Sequence, residues 1–228
     1  MLRLEDIGLT QGTFAFRATF DLPRGRRAAV IGPSGGGKST LLSVIAGFDA
    51  PAHGRVVWDG QDIKGLGPDR RPVAMLFQDN NLFPHLDIET NVALGLEPVA
   101  RPSARARERA REALTRVDLV GQERKLPGAL SGGQQSRAAL ARLLLTARPL
   151  VLLDEPFAAL GPALRRDMWD LVVELLPDAT VLMVTHDPDE AARSASDILF
   201  VDEGWVRPPQ ATQAFFDAPD AAVARYLR

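Results

Sequence analysis

Cysteine is absent from the 228 residues. That excludes disulfides, thiol catalysis and thiolate metal sites, and it suits a reducing compartment such as the cytosol. Long apolar runs are absent too. No stretch approaches the roughly 18 apolar residues that would span a bilayer, so a membrane role must come through a partner. The opening Met1-Leu2-Arg3-Leu4-Glu5-Asp6 lacks an apolar core, and no signal peptide is expected there. Neither sign of charge dominates: 27 Lys and Arg against 29 Asp and Glu leave a net −2. Nothing in that balance calls for nucleic acid or an acidic membrane as partner. Internal repeats and low-complexity tracts are also missing. What remains, 46% hydrophobic and 25% charged, is ordinary for a globular protein. The length allows one large domain, or one domain with an inserted subdomain.

The most informative stretch is Gly32-Pro33-Ser34-Gly35-Gly36-Gly37-Lys38-Ser39-Thr40. The apolar run Ala28-Ala29-Val30-Ile31 precedes it, and an apolar-periodic segment over 41–46 follows. Strand, glycine loop and helix with G-x-x-x-x-G-K-S spacing read as the phosphate-binding loop. Glycines let successive N–H groups point inward at phosphate oxygens, and the positive end of the next helix faces the same anion. Lys38 would reach the β- and γ-phosphates, and Ser39 would place its hydroxyl on Mg²⁺. A Gly-rich turn with a chance lysine is the plain alternative, and the flanking strand and helix argue against it.

The rest of the chain alternates around that stretch. Strands are expected from Leu2, over 14–20 with period two, at 55–58 and at 73–77. Gly47 reads as the C-cap of the loop helix, and Pro51-Ala52-His53-Gly54 as a turn. Between 84 and 147 the pattern is helical only, with helices expected over 88–95, 103–117 and 134–145, like an insert in an α/β protein. The α/β alternation resumes after Pro149, with strands over 150–153 and 181–184 and helices over 163–176 and 189–195. A hairpin around Glu203-Gly204 follows, then a short tail after Pro208-Pro209. The arginines at 105, 107, 109, 111 and 116 are expected to be a solvated face with pairs to Glu108 and Glu112. Trp58, Trp169 and Trp205 are expected to be packing residues.

Two further motifs carry chemistry. Leu150-Val151-Leu152-Leu153-Asp154-Glu155 is an apolar strand ending in two acids. Asp154 suits Mg²⁺ beside a phosphate loop, and Glu155, pointing the other way, can polarise an attacking water. Leu130-Ser131-Gly132-Gly133-Gln134 is a second glycine loop before a helix, either a turn with a helix cap or another anion site.

These motifs, with Gln78 after a strand and His186 in Thr185-His186-Asp187, occur in the order of an ABC transporter ATP-binding subunit. The resemblance covers essentially the whole chain, and Leu-Ser-Gly-Gly-Gln makes it specific. Within that family, residues 70–83 and Gly95-Leu96 look like the ATPase of bacterial thiamine importers. The resemblance implies an α/β P-loop NTPase fold with a RecA-like core, an antiparallel β subdomain and an inserted helical subdomain. Residues 1–83 and 148–228 would form the nucleotide-binding core of a single domain, and 84–147 the helical part. It implies ATP and Mg²⁺ as cofactors. Gln78 resembles the glutamine that contacts Mg²⁺ and the attacking water, and His186 the switch histidine near Glu155 and the γ-phosphate. Ser131 and Gly133 would touch the γ-phosphate held by a second copy in a head-to-tail homodimer. The implied partners are a transmembrane permease and, indirectly, a solute-binding protein, with the chain on the cytoplasmic face of the bacterial membrane.

Two departures stand out. The aromatic residue that usually stacks on adenine is missing at Leu9-Thr10-Gln11, so either Phe14 substitutes or adenine is held weakly. Gly161 stands where the family normally has Asp. Other small solutes (iron(III), polyamine, sulfate), a soluble non-transport ABC protein and a weakly active nucleotide-binding subunit are the alternative readings.

Overall fold

Two hydrophobic patterns, period two and continuously apolar, separate the strands of this chain into two kinds. The computed structural model describes residues 1–227. Its elements are β1 (Leu2–Gln11), β2 (Phe14–Leu22), β3 (Arg27–Ile31), α1 (Lys38–Ala46), β4 (His53–Trp58), β5 (Gln61–Asp62), β6 (Val73–Leu76), α2 (Ile88–Ala93), α3 (Ala104–Arg116), α4 (Gly132–Leu145), β7 (Leu150–Asp154), α5 (Pro162–Leu175), β8 (Thr180–Val184), α6 (Pro188–Ser194), β9 (Asp197–Asp202), β10 (Trp205–Val206), β11 (Gln210–Ala211), α7 (Thr212–Asp217) and α8 (Ala221–Tyr226). They fall into two compact units. The first comprises Met1–Val73, Pro149–Glu155 and the chain from Asp178 onward; the second comprises Ala74–Arg148 and Pro156–Pro177.

In the first unit the period-two strands pair antiparallel. β2 buries Phe16, Ala18, Phe20 and Leu22 and exposes the residues between them, the signature of a sheet with one wet face. It pairs with β1, and β1 with β4. The continuously apolar strands are parallel instead: β9, β3, β8 and β7 lie side by side. Their residues are buried on both faces, as parallel strands require. β10 joins the two kinds, running parallel to β2 and antiparallel to β9. Glu203 and Gly204, both at positive φ (48° and 79°), make the two-residue turn of that hairpin. α7 and α8 close one flank, where Phe215 and Val223 pack on Ala29, Ile31, Ile198 and Phe200. Fully burying a side chain such as Phe215 is worth about 1.5–3 kcal/mol.

The second unit is helical apart from β6. Ala106, Ala110, Ala113 and Leu114 form the buried stripe of α3, and the three alanines are small enough to let a neighbouring helix approach closely. Among the described residues no helix is long and apolar enough to cross a membrane.

Three local expectations are corrected. His53 and Gly54 belong to β4 rather than to a turn, because β1 bulges between Glu5 and Gly8 and keeps the ladder going to the His53–Gly8 pair. Trp205 is 67% exposed, while Trp58 and Trp169 are buried. β10 alternates like any strand, and Val206 takes the inward place. The arginines of α3 are not all solvated. Arg107 and Arg111 reach the carboxylate of Glu89 on α2, at 3.2 and 2.8 Å, and Glu89 is 1% exposed. Only the carboxylate is buried; Arg107 and Arg111 are 31% and 49% exposed, so solvent screens the pairs and either arginine can compensate for loss of the other.

Candidate active site

β3 delivers the chain into the glycine loop, and the β9–β10 hairpin backs it. Gly32 has φ +146°, and a Cβ on it would lie 1.9 Å from the Val201 carbonyl oxygen. Only glycine fits there, since both the dihedral and the contact exclude a side chain. The Gly204 N–H donates to the Gly36 carbonyl at 3.0 Å, and the Gly36 N–H donates to that of Pro33 at 3.1 Å. α1 then starts at Lys38 with no side chain capping its N-terminus. Its free N–H groups and the positive helix end are thus left for an anion. Ser34, Gly35, Gly37, Lys38, Ser39 and Thr40 line a cleft of about 350 Å³ at this end, with Glu155, Phe14 and Gln11 completing the wall. Phe14 is therefore the aromatic that reaches the cleft. At the other end of α1, Gly47 closes the helix with its N–H on the Ser43 carbonyl. The buried Arg71 guanidinium there gathers the carbonyls of Val44, Ile45, Leu66 and Lys64 at 2.7–2.9 Å.

Lys38 is buried, and its ammonium donates to the carbonyls of Gly32 (2.8 Å) and Pro33 (2.9 Å). Burial lowers its pKa, against the opposing pull of Glu155 and Asp154. Asp154 ends β7, and burial raises the pKa of its carboxyl; the Ser39 hydroxyl, 3.4 Å from Oδ1, works the other way. A buried lysine and a half-buried aspartate, each displaced against its charged form, mark a candidate functional site. Ser39 and Asp154 present two hard oxygens side by side, a donor set that fits Mg²⁺, which keeps waters and substrate phosphates as its other ligands.

Glu155 breaks the strand alternation. Its φ is +44°, unusual for a residue with a side chain, and its N–H holds the Val184 carbonyl at 3.1 Å. In that pose Oε2 lies 3.2 Å from Nδ1 of His186. The first unit thus brings together residues 32–40, Asp154, Glu155 and His186.

The other sequence candidates belong to the second unit. Ser131 caps α4, accepting from the Gln134 N–H at 3.3 Å, while Gln134 Oε1 accepts from the Ser131 N–H at 3.0 Å. This capping box starts α4 at Gly132, two positions before the expected start at 134. Gln78 is exposed in the turn after β6. Just beyond it, Asn80 and Asn81 adopt positive φ, and Arg142 of α4 holds their carbonyls at 2.8 and 2.7 Å. Asn91 of α2 pins Phe83 through both backbone groups. Arg142 and Asn91 escaped the sequence reading. The Asn80-Asn81 pair, tolerant of left-handed backbone, was the available signal.

Comparison with known proteins identifies the family. The family profile described as ABC transporter matches residues 16–158, more than half of the chain. A curated relative named thiamine import ATP-binding protein ThiQ, from Cereibacter sphaeroides, is 55% identical over 229 aligned residues, spanning 100% of this chain and 99% of the relative. A protein of the same name from a Ruegeria species is 50% identical with the same coverage. Among solved structures, the dimeric post-hydrolysis state of the ATP-binding cassette MJ0796 bound to ADP and Pi matches with a TM-score of 0.79 at 30% identity. It covers 93% of this chain and 99% of that one. The phosphate loop, the paired acids and the family profile agree: this chain belongs to the ABC transporter family, as an ATP-binding cassette with a P-loop NTPase fold.

Proposed function

We propose that this chain is the ATP-hydrolysing subunit of a bacterial thiamine importer. The observation that carries the chemistry is the His186–Glu155 contact of 3.2 Å at the rim of the phosphate-loop cleft. The solute rests on the full-length likeness to thiamine import proteins.

Residues 32–40 wrap the phosphates of ATP, with Lys38 leaving its loop carbonyls for the β- and γ-oxygens. The anion favours the charged ammonium and so offsets the effect of burial on Lys38, which couples binding to the lysine's charge. Ser39 and Asp154 would hold Mg²⁺, with Gln78 assigned to it by likeness to the family, and an ion held there would supply positive charge against the transferring phosphoryl group. Glu155 orients and polarises the attacking water, and His186 orients Glu155 and reaches for the γ-phosphate. Phe14 supplies the aromatic face for adenine, in a contact class worth about 1–3 kcal/mol.

The cassette is one domain, with residues 1–83 and 148–228 as nucleotide-binding core and 84–147 as helical signature part. Two copies pair head to tail. Ser131, Gly132, Gly133 and Gln134 of one copy then close on the nucleotide of the other, so that ATP drives closure and hydrolysis permits opening. The loop from Gln78 to Phe83 docks a transmembrane permease at the cytoplasmic face of the cell membrane, and a solute-binding protein delivers thiamine from the far side.

The test is uptake of labelled thiamine in cells that carry either the intact protein or Glu155→Gln, with ATPase assays on both purified chains. The substitution lowers hydrolysis by about 10²–10⁴-fold and abolishes uptake. Equal uptake in the two strains removes thiamine as the solute, and equal ATPase rates remove Glu155 from the chemistry.

A further inference from the structure

His186 sits between two residues that are both anchored, and the anchor has an unusual form. Asp187 is the N-cap of α6, accepting from the N–H groups of Asp189 (3.0 Å) and Glu190 (3.2 Å). Glu190 stands three residues on, where a capping-box glutamate would reach back to the N-cap N–H. Here it does not. The Asp187 N–H donates to the Thr185 hydroxyl at 3.1 Å, and that hydroxyl donates to Oε2 of Glu190. Thr185 is thus inserted into the box as a relay. Its hydroxyl is engaged as donor and acceptor at once, which fixes its rotor.

Both relay members are buried, Thr185 at 3% and Glu190 at 7% exposure, and Glu190 has no basic partner among the described residues. A buried carboxylate without a cation is costly, so the hydroxyl and the helix N-terminus are what keep it there. The Thr185 N–H is tied to the Val30 carbonyl at 3.3 Å, two residues before the loop begins at Gly32. The backbone on either side of His186 is therefore clamped to β3 and to α6, and the imidazole is left as the exposed group between the clamps, on Glu155.

We propose that Thr185 and Glu190 are positioning residues for His186. The relay holds the 185–187 backbone so that Nδ1 stays on the Glu155 carboxylate. The proposal rests on the ATP-hydrolysis reading above.

Steady-state ATPase of the purified full-length chain tests it through a double-mutant cycle. Thr185→Val removes the hydroxyl at nearly constant shape, and kcat should fall by about tenfold with the KM for ATP within about twofold of the intact chain. In a His186→Ala background the same change should have no further effect, because the group being positioned is gone. Thr185→Ser, which keeps the hydroxyl, should restore kcat to within about threefold. If Thr185→Val alone does not fold by circular dichroism, Thr185→Val/Glu190→Gln leaves no orphaned charge and carries the same expectations. An unchanged kcat in the Val variant, or the same fold-loss with and without His186, overturns the proposal. Absence of ATPase activity in the intact chain overturns the underlying reading instead.

Discussion

The chain contains two glycine loops that each open a helix, and they are built on opposite logic. The loop at 32–37 is held from outside: Val201 and Gly204 press on it, no side chain caps α1, and beside it the buried Lys38 and the half-buried Asp154 are displaced against their charged forms. The loop at 130–133 satisfies itself: Ser131 and Gln134 consume each other's backbone N–H groups, and a Cβ at Gly132 would come no closer than 3.9 Å to Leu160. The first arrangement keeps its donors for a ligand. The second is a self-capped helix end. Spacing of glycines does not distinguish the two; the neighbours do.

The sharpest way to break this contrast is to put the same methyl in both. Gly32→Ala forces a clash with backbone and a left-handed φ, and should cost roughly 2–5 kcal/mol in denaturant unfolding and abolish nucleotide binding. Gly132→Ala should leave stability within about 1 kcal/mol, with a tendency to gain, since alanine favours the helix. Similar losses at both positions would erase the distinction.

A smaller effect tests the self-capped loop. Ser131→Ala removes the box and should cost about 1 kcal/mol, while Ser131→Gly should cost only a few tenths. Unfolding curves for the three chains give the comparison directly.

The burial at the first loop predicts a pH signature. Asp154 is held above its ordinary pKa, so its contribution to stability is fully present below the unfolded value and is lost as pH rises through the folded one. Asp154→Asn does not titrate. Without nucleotide or Mg²⁺ it should melt higher than the intact chain at neutral pH, with the difference closing in acid. A lower melting temperature at neutral pH would show that the charged carboxylate stabilises the loop.

The smallest expected change lies at Gly161, which stands as N-cap of α5 without a side-chain bond. Its φ is negative and nothing lies within 4 Å of an added Cβ. Gly161→Asp should therefore fit and add a few tenths of a kcal/mol through capping. ATPase rates of the two forms measure what the missing carboxylate does for turnover.

Much of this was legible because the relevant physics is local. The phosphate loop, the acids ending β7, the Glu203-Gly204 turn and the Gly47 cap are all set by residues within a few positions of one another. Legibility failed where the deciding partner is distant in sequence. Glu89 draws in Arg107 and Arg111 from another helix. The bulge that takes His53 into a strand belongs to β1. Glu155 leaves the strand alternation because Val184 holds its backbone. Trp205 was misread for a local reason, because a two-residue strand offers too little pattern to set its phase.

The backing of the phosphate loop has a consequence for the order of synthesis. Residues 32–40 leave the ribosome early, but the carbonyl that seats Gly32 and the N–H that seats Gly36 belong to Val201 and Gly204. At the usual 5–20 residues per second, roughly ten to thirty seconds separate the two ends of that contact. Throughout that interval the nascent chain carries the motif without the geometry. A truncated or stalled product ending before β9 would hold every signature residue named above and still lack a seated loop, so the site waits for residues 201–204.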